Sequence, residues 1–209
     1  MSKSILVAVF ASGGGSNFQA LIDKKNEGKL NVTFAVLIGN NSKAKAIERA
    51  QKQHIPTLHI APSHFRDEIE YTEKLLAKLE AFSVDLIVLA GYMKMIPRAA
   101  IKKFQNRIMN IHPALLPSFG GHGMYGKAVH QAVLDYGAKV TGITVHFVDE
   151  EYDRGPIILQ ETAPVLDNDT ADTLAERVLK VEHANYWRAV EAFAQNRIRV
   201  EGRRVIGSV

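Results

Sequence analysis

The feature that most constrains this chain is a rhythm of short, β-branched apolar runs separated by longer amphipathic stretches. Ile5–Phe10, Val32–Ile38 and Asp85–Ala90 are runs of the first kind. A strand covered on both faces has no side to show water, so it reads as a continuous apolar segment. Between these runs, Asn17–Lys25, Ser42–Gln53 and His64–Phe82 carry helical spacing; the last puts Ile69, Leu75, Leu76 and Leu79 on one face. Strand, helix, strand, helix predicts an α/β fold: Rossmann-like, doubly wound, with a mostly parallel central sheet flanked by helices.

The second half changes character. Arg107–Ile111 is predicted as another central strand, ended by His112-Pro113. The segment 114–126, with Pro117, Gly120, Gly121, Gly123 and Gly126, is too long for a mere connection, and such loops tend to carry function. Lys127–Tyr136 reads as a helix stopped by Gly137. Val140–Val148 and Ile157–Val165 read as strands around the acidic turn Asp149–Pro156. Thr170–Gln195 reads as a long helix behind an Asp169 cap, and Arg197–Val205 as a terminal hairpin. A length of 209 residues suits one domain, 1–209, with halves 1–105 and 106–209.

Composition narrows the chemistry. The chain has no cysteine, which excludes a disulfide scaffold, a Cys-ligated zinc, an iron–sulfur cluster and a thiol nucleophile. The net charge of +4 favours a phosphorylated or carboxylated ligand, yet it is not the dense basic stripe of a nucleic-acid binder. The apolar run Ile5–Ala11 passes straight into a glycine turn and not into a cleavage site. No stretch approaches the roughly 18 apolar residues of a membrane helix. A cytoplasmic protein without membrane contact is expected.

Three constellations carry chemistry. Ser12-Gly13-Gly14-Gly15-Ser16-Asn17 stands between the first strand and the first helix. Glycines bring backbone N–H groups close to a ligand and a helix N-terminus adds positive potential, so phosphate is the natural guest; a plain tight turn is the bland alternative. A dinucleotide fingerprint fails because Phe18 stands where the third glycine belongs, and no G-x-x-x-x-G-K follows. Asn110 and His112, two apart in a strand, point to one side at the carboxyl edge of the sheet, where open α/β sheets bind ligands. An amide donor beside an imidazole suits a carbonyl that becomes an oxyanion, although a lone histidine is more often structural. A carboxylate from Asp149–Asp153 could hold an imidazole in its tautomer, or the loop is simply a solvated acidic turn. His112, His122, His130 and His146 lack metal-ligand spacing, so no metal is expected. Lys43, Lys45 and Arg49 read as a solvated basic helix face.

Taken together, four motifs resemble the folate-dependent phosphoribosylglycinamide formyltransferase family over nearly the whole chain. They are Ala11–Asn17, Leu89–Lys94, Asn110–Pro117 and Val145–Asp149, the last followed by Asp153 and Gly155-Pro156. The resemblance implies the formyltransferase fold and transfer of a formyl group from 10-formyltetrahydrofolate, as co-substrate, to the amine of glycinamide ribonucleotide. It implies that Asn110 and His112 hydrogen-bond the oxyanion, with His112 as proton donor, and that Asp153 supports the imidazolium. Gly15, Ser16 and Asn17 would cradle the phosphate and Glu182 would touch the ribose. The folate would lie along Met93, Lys94, Met95 and Ile96, with Asn110, Asp149 and Glu150, and Arg66 is the candidate for its glutamate tail. Met93–Ile96 would otherwise read as ordinary packing between strand and helix.

The chain departs from the family at Gly14, where many members carry Asn, and at Leu179, where a cationic or amide residue is common. Two relatives share the chemistry. A formyltetrahydrofolate hydrolase usually has a regulatory domain before the catalytic one, and here the first strand begins near residue 4. A methionyl-tRNA formyltransferase has an RNA-binding domain after it. From another class, a non-catalytic phosphate-binding module would keep the glycine turn and leave Asn110, His112 and Asp153 unexplained. The expected partners are small molecules only, with the chain a monomer or homodimer.

Overall fold

The computed structural model describes residues 4–209, and the expected apolar runs are strands of one sheet. β1 (Ile5–Ala11), β2 (Val32–Gly39), β3 (Thr57–His59), β4 (Leu86–Leu89), β5 (Ile108–His112), β6 (Val140–Phe147) and β7 (Ile157–Pro164) lie in the order β3-β2-β1-β4-β5-β6-β7. β1 pairs in parallel with β2 and β4, and β2 with β3, while β6 and β7 pair antiparallel, Val140 facing Pro164. Val7–Ala11 and Leu86–Val88 have no exposed surface, which is why they could be purely apolar. The mostly parallel, doubly wound sheet is therefore as expected.

The helices are α1 (Ser16–Asn26), α2 (Lys45–Lys52), α3 (Glu68–Ala81), α4 (Arg98–Lys103), α5 (Lys127–Tyr136) and α6 (Ala171–Ala194). A 3-10 turn spans Pro62–His64, and β8 (Ile198–Glu201) and β9 (Arg204–Gly207) form the terminal hairpin. The chain divides into two compact units between Met109 and Asn110, inside β5. In the first unit α2 packs on α1, β2 and β3; in the second α6 packs on α5, β6 and β7.

Several element boundaries differ from expectation, each for a local reason. α3 begins at Glu68 and not at His64, because the Asp67 carboxylate accepts Glu70 N–H at 2.8 Å and caps the helix there. Its buried face is Tyr71, Leu75 and Leu79, so Ile69 falls on the solvent side and is 71% exposed. α2 starts at Lys45 and not at Ser42, since the Asn41 side chain accepts Lys43 N–H and its carbonyl accepts Ala44 N–H, folding 41–44 into a turn. The cap of α6 is Thr170 and not Asp169. Thr170 and Thr173 exchange side-chain and backbone bonds as a capping box, while Asp169 takes two hydrogen bonds from Arg177, at 2.5 and 2.8 Å. The Arg177 guanidinium holds the Asp169 carboxyl well below the usual range. β3 and α4 leave no signature in the sequence because three and six residues are too few to show a period.

Candidate active site

In the first unit, the glycine turn lies where β1 neighbours β4, the point at which strand order reverses from β3-β2-β1 to β4. Open α/β sheets bind ligands beyond the strand ends at such a point. Gly15 is the residue before α1 and has φ 67°, a left-handed conformation that no side chain caps. A Cβ there would stand 2.7 Å from the Ala46 Cβ and 2.9 Å from its Cα, so both the backbone angle and the neighbour demand glycine. Ser16 opens α1, and Asn17 is buried in its first turn. Ser12 joins the turn to the loop after β4: its N–H donates to Gly91 O at 3.1 Å and its Oγ accepts Met93 N–H at 2.8 Å. In that loop Met93 and Met95 are half exposed, Lys94 is exposed, and Ile96 is buried. Ordinary core packing thus accounts for Ile96 but not for the two methionines.

In the second unit, the end of β5 presents Asn110 and His112 on one side, as period-2 alternation requires. His112 is 3% exposed; its Nδ1 lies 3.5 Å from Asp153 Oδ2, and its Nε2 donates to Phe119 O at 2.8 Å. Asp153 reaches it from the turn after β6 in a left-handed conformation, φ 55°, followed by Gly155, where a Cβ would strike the Phe147 carbonyl. The Asp153 Oδ2 also accepts Gly121 N–H at 2.9 Å, tying the loop after β5 to the acidic turn. Burial disfavours charge on His112 and pushes its pKa down, against the opposing pull of the Asp153 carboxylate and the Phe119 carbonyl. Burial would raise Asp153, but the hydrogen bond to His146, the His112 ring and the Gly121 N–H together hold it below the ordinary carboxylate value. An ionised carboxylate therefore faces a buried imidazole, with an amide alongside. That arrangement can steady a developing negative charge and move one proton.

His146 belongs to this cluster, a place that the spacing of the histidines does not reveal. It is 1% exposed on β6, with Nε2 3.2 Å from Asn110 Nδ2 and 3.6 Å from Asp153 Oδ1. Its Nδ1 lies 2.8 Å from the Phe147 carbonyl oxygen, which can only accept, so Nδ1 is the donor there. The signal available in the sequence was alternation: Gly142, Thr144 and His146 share one face of a strand. Arg49 also departs from the solvated basic helix face expected of it. It is half-buried, its Nε donating to Gly14 O at 2.9 Å and its Nη1 to Gln19 Oε1 at 2.8 Å.

The remaining candidates are placed as follows. Asp149 and Glu150 sit in the turn after β6, half-buried, with Asp149 Oδ1 accepting Glu151 N–H at 3.0 Å. Glu182 lies on the inward stripe of α6 with Val178 and Tyr186 and is 7% exposed. Leu179 is half-buried beside it and Lys180 exposed. Arg66 is exposed and paired with Glu70 at 3.1 Å, at the start of α3. Among the described residues, no group of three or more His, Asp or Glu is placed to hold a metal ion, and no helix is long and apolar enough to cross a membrane.

Comparison with known proteins meets this geometry. The model of the formyl transferase family matches residues 5–190. The chain is 44% identical over 192 residues to the chloroplastic phosphoribosylglycinamide formyltransferase of Vigna unguiculata, which covers 92% of this chain and 62% of that protein. It is 40% identical over 179 residues to the phosphoribosylglycinamide formyltransferase of Bacillus subtilis (strain 168), with 86% of this chain and 89% of the other covered. The crystal structure of glycinamide ribonucleotide transformylase 1 from Symbiobacterium toebii superposes with a TM-score of 0.93 at 39% identity, over 100% of this chain and 96% of that one. The chain thus spans less than two thirds of the plant relative's length and most of the bacterial one's. A family match over residues 5–190 and relatives at 40% identity or more lead to one conclusion: the chain belongs to the formyl transferase family.

Proposed function

We propose that the chain transfers the formyl group of 10-formyltetrahydrofolate to the amine of N1-(5-phosphoribosyl)glycinamide, a step of de novo purine (IMP) biosynthesis in the cytoplasm. The observation that carries this reading is the cluster of Asn110 and buried His112 at the end of β5 with Asp153 from the turn after β6. Two relatives named for this activity, at 44% and 40% identity, support it.

The reaction needs little more than placement and charge stabilisation. The amine lone pair attacks the formyl carbon, the carbonyl electron pair moves to oxygen, and collapse of the tetrahedral adduct expels the folate nitrogen, which takes a proton. The Asn110 amide and the His112 ring N–H are the donors for the oxyanion, and His112 delivers the proton. Asp153 supports the imidazolium and helps relay the proton that the attacking amine releases. The His112 Nε2–H is bonded to Phe119 O in this structure, so that carbonyl has to yield it before the oxyanion can be served. Holding both reactants together supplies the rest of the acceleration by proximity.

Binding follows the same reading. Gly15, Ser16 and Asn17 hold the phosphate and Glu182 the ribose. The folate lies along Met93–Ile96, Asn110, Asp149 and Glu150; the half-exposed Met93 and Met95 offer it an apolar surface. Arg66 takes the glutamate tail by exchanging its Glu70 pair for a ligand carboxylate. The test is one assay with glycinamide ribonucleotide and 10-formyltetrahydrofolate, following folate absorbance and formylated product. The expected absorbance change requires the amine. Deformylation without it would identify a hydrolase, and ribonucleotide binding without transfer would identify a binding module.

A further inference from the structure

The glycine turn does not hold its shape alone. Three successive carbonyls are each taken by a donor from the segment after β2: Ser12 O by Asn41 Nδ2 at 3.5 Å, Gly13 O by Ala46 N at 3.2 Å, and Gly14 O by Arg49 Nε at 2.9 Å. These peptides are trans. In a trans peptide the C=O and the next residue's N–H point in opposite directions. Drawing three carbonyls toward the β2–α2 side therefore turns the N–H groups of Gly13, Gly14 and Gly15 the other way, as a row. Successive backbone N–H groups facing one side form an anion-binding concavity.

Arg49 differs from the other two donors. Its Nη1 also donates to Gln19 Oε1 at 2.8 Å, on α1, so one guanidinium ties the turn to the helix that follows it. It carries a full positive charge behind the Gly14–Gly15 peptide and polarises that dipole in the sense that favours an anion on the far side. We infer that Arg49 is a positioning residue for the phosphate of the acceptor, acting through the Gly14 carbonyl and without touching the substrate. The fork is necessary because its Nε and Nη1 serve two acceptors at once; a lysine ammonium is a point charge without that fixed geometry. The inference rests on the reading that the acceptor is a ribonucleotide bound at this turn.

The experiment compares wild type, Arg49→Ala and Arg49→Lys with two acceptors, glycinamide ribonucleotide and its dephosphorylated ribonucleoside. The expected result for Arg49→Ala is a KM for the ribonucleotide raised about 10- to 100-fold, with kcat changed less than about 3-fold. Its kcat/KM for the ribonucleoside stays within about 3-fold of wild type, and Arg49→Lys falls between wild type and Ala. Equal losses on both acceptors, or no loss on either, would overturn the assignment. A second readout needs no turnover: titration of inorganic phosphate followed by the Gly15, Ser16 and Asn17 amide resonances. Wild type should shift saturably, and Arg49→Ala only at about tenfold higher phosphate. If those amides ignore phosphate in wild type, the inference fails even where formyl transfer holds. If no transfer occurs but the phosphate response depends on Arg49, the anion site stands and the proposed reaction falls.

Discussion

Asp153 uses its two carboxylate oxygens on three partners: the His112 ring, His146 and the Gly121 N–H. Because its charge opposes the burial that lowers His112, its removal has a definite sign. In Asp153→Asn, the His112 pKa should fall further, read by NMR titration of the ring protons; an unchanged or raised value would show that the 3.5 Å contact carries no electrostatic weight. His112→Ala should lower kcat by at least about 10²-fold, as expected when a positioned proton donor is lost. Steady-state kinetics of a folded variant with normal turnover would remove His112 from the mechanism. Asn110 and His112 could be paired from the sequence because alternation within one strand is a local property. His146 and Arg49 could not, because their roles consist of partners 36 and 35 residues away.

At the scale of elements, the two informative places are helix starts. Gly15→Ala forces a Cβ onto a φ of 67° and into Ala46, and should destabilise the protein by about 1–3 kcal/mol while also widening the gap between the turn and α2. Urea unfolding measures the first effect; a variant as stable as wild type would mean that the turn relaxes freely. Thr170→Ala removes one half of the capping box of α6 and should cost about 1 kcal/mol, whereas Asp169→Asn should act through Arg177 instead. The ordering Asp169-Thr170 offers two good caps in a row, and sequence cannot choose between them. The choice falls to Thr170 because Arg177, two turns into the helix, draws the Asp169 carboxylate to itself. The same logic moved the start of α3 from His64 to Glu68: Asp67 is the residue whose carboxylate meets an N-terminal N–H.

For the whole molecule, the buried histidines set the dependence of stability on pH. Burial lowers the pKa of both His112 and His130. The unfolded chain therefore binds these protons first as pH falls, so stability is complete above about pH 6.5, the unfolded value, and is lost as pH drops through the lowered folded values. Thermal melts from pH 8 to pH 5 should show Tm falling below about 6.5, with a shallower fall in His130→Gln. A Tm that rises on acidification would reverse the sign and the argument.

The apolar strands β1, β2 and β4, the helices α1, α2 and α3 and the position of the glycine turn follow from patterns that a single segment carries in itself. A strand covered on both sides must be apolar throughout, and a turn at positive φ needs glycine. By itself the sequence determined that this is a doubly wound α/β chain with an amide and an imidazole on one strand and a carboxylate in an acidic turn. The tertiary structure decided which groups those three lean on. Asp153 comes to His112 from a turn after another strand, Phe119 O occupies the Nε2 proton, and Arg49 crosses from α2 to the carbonyl of Gly14. Those distances depend on how separate segments pack, and no local periodicity encodes them.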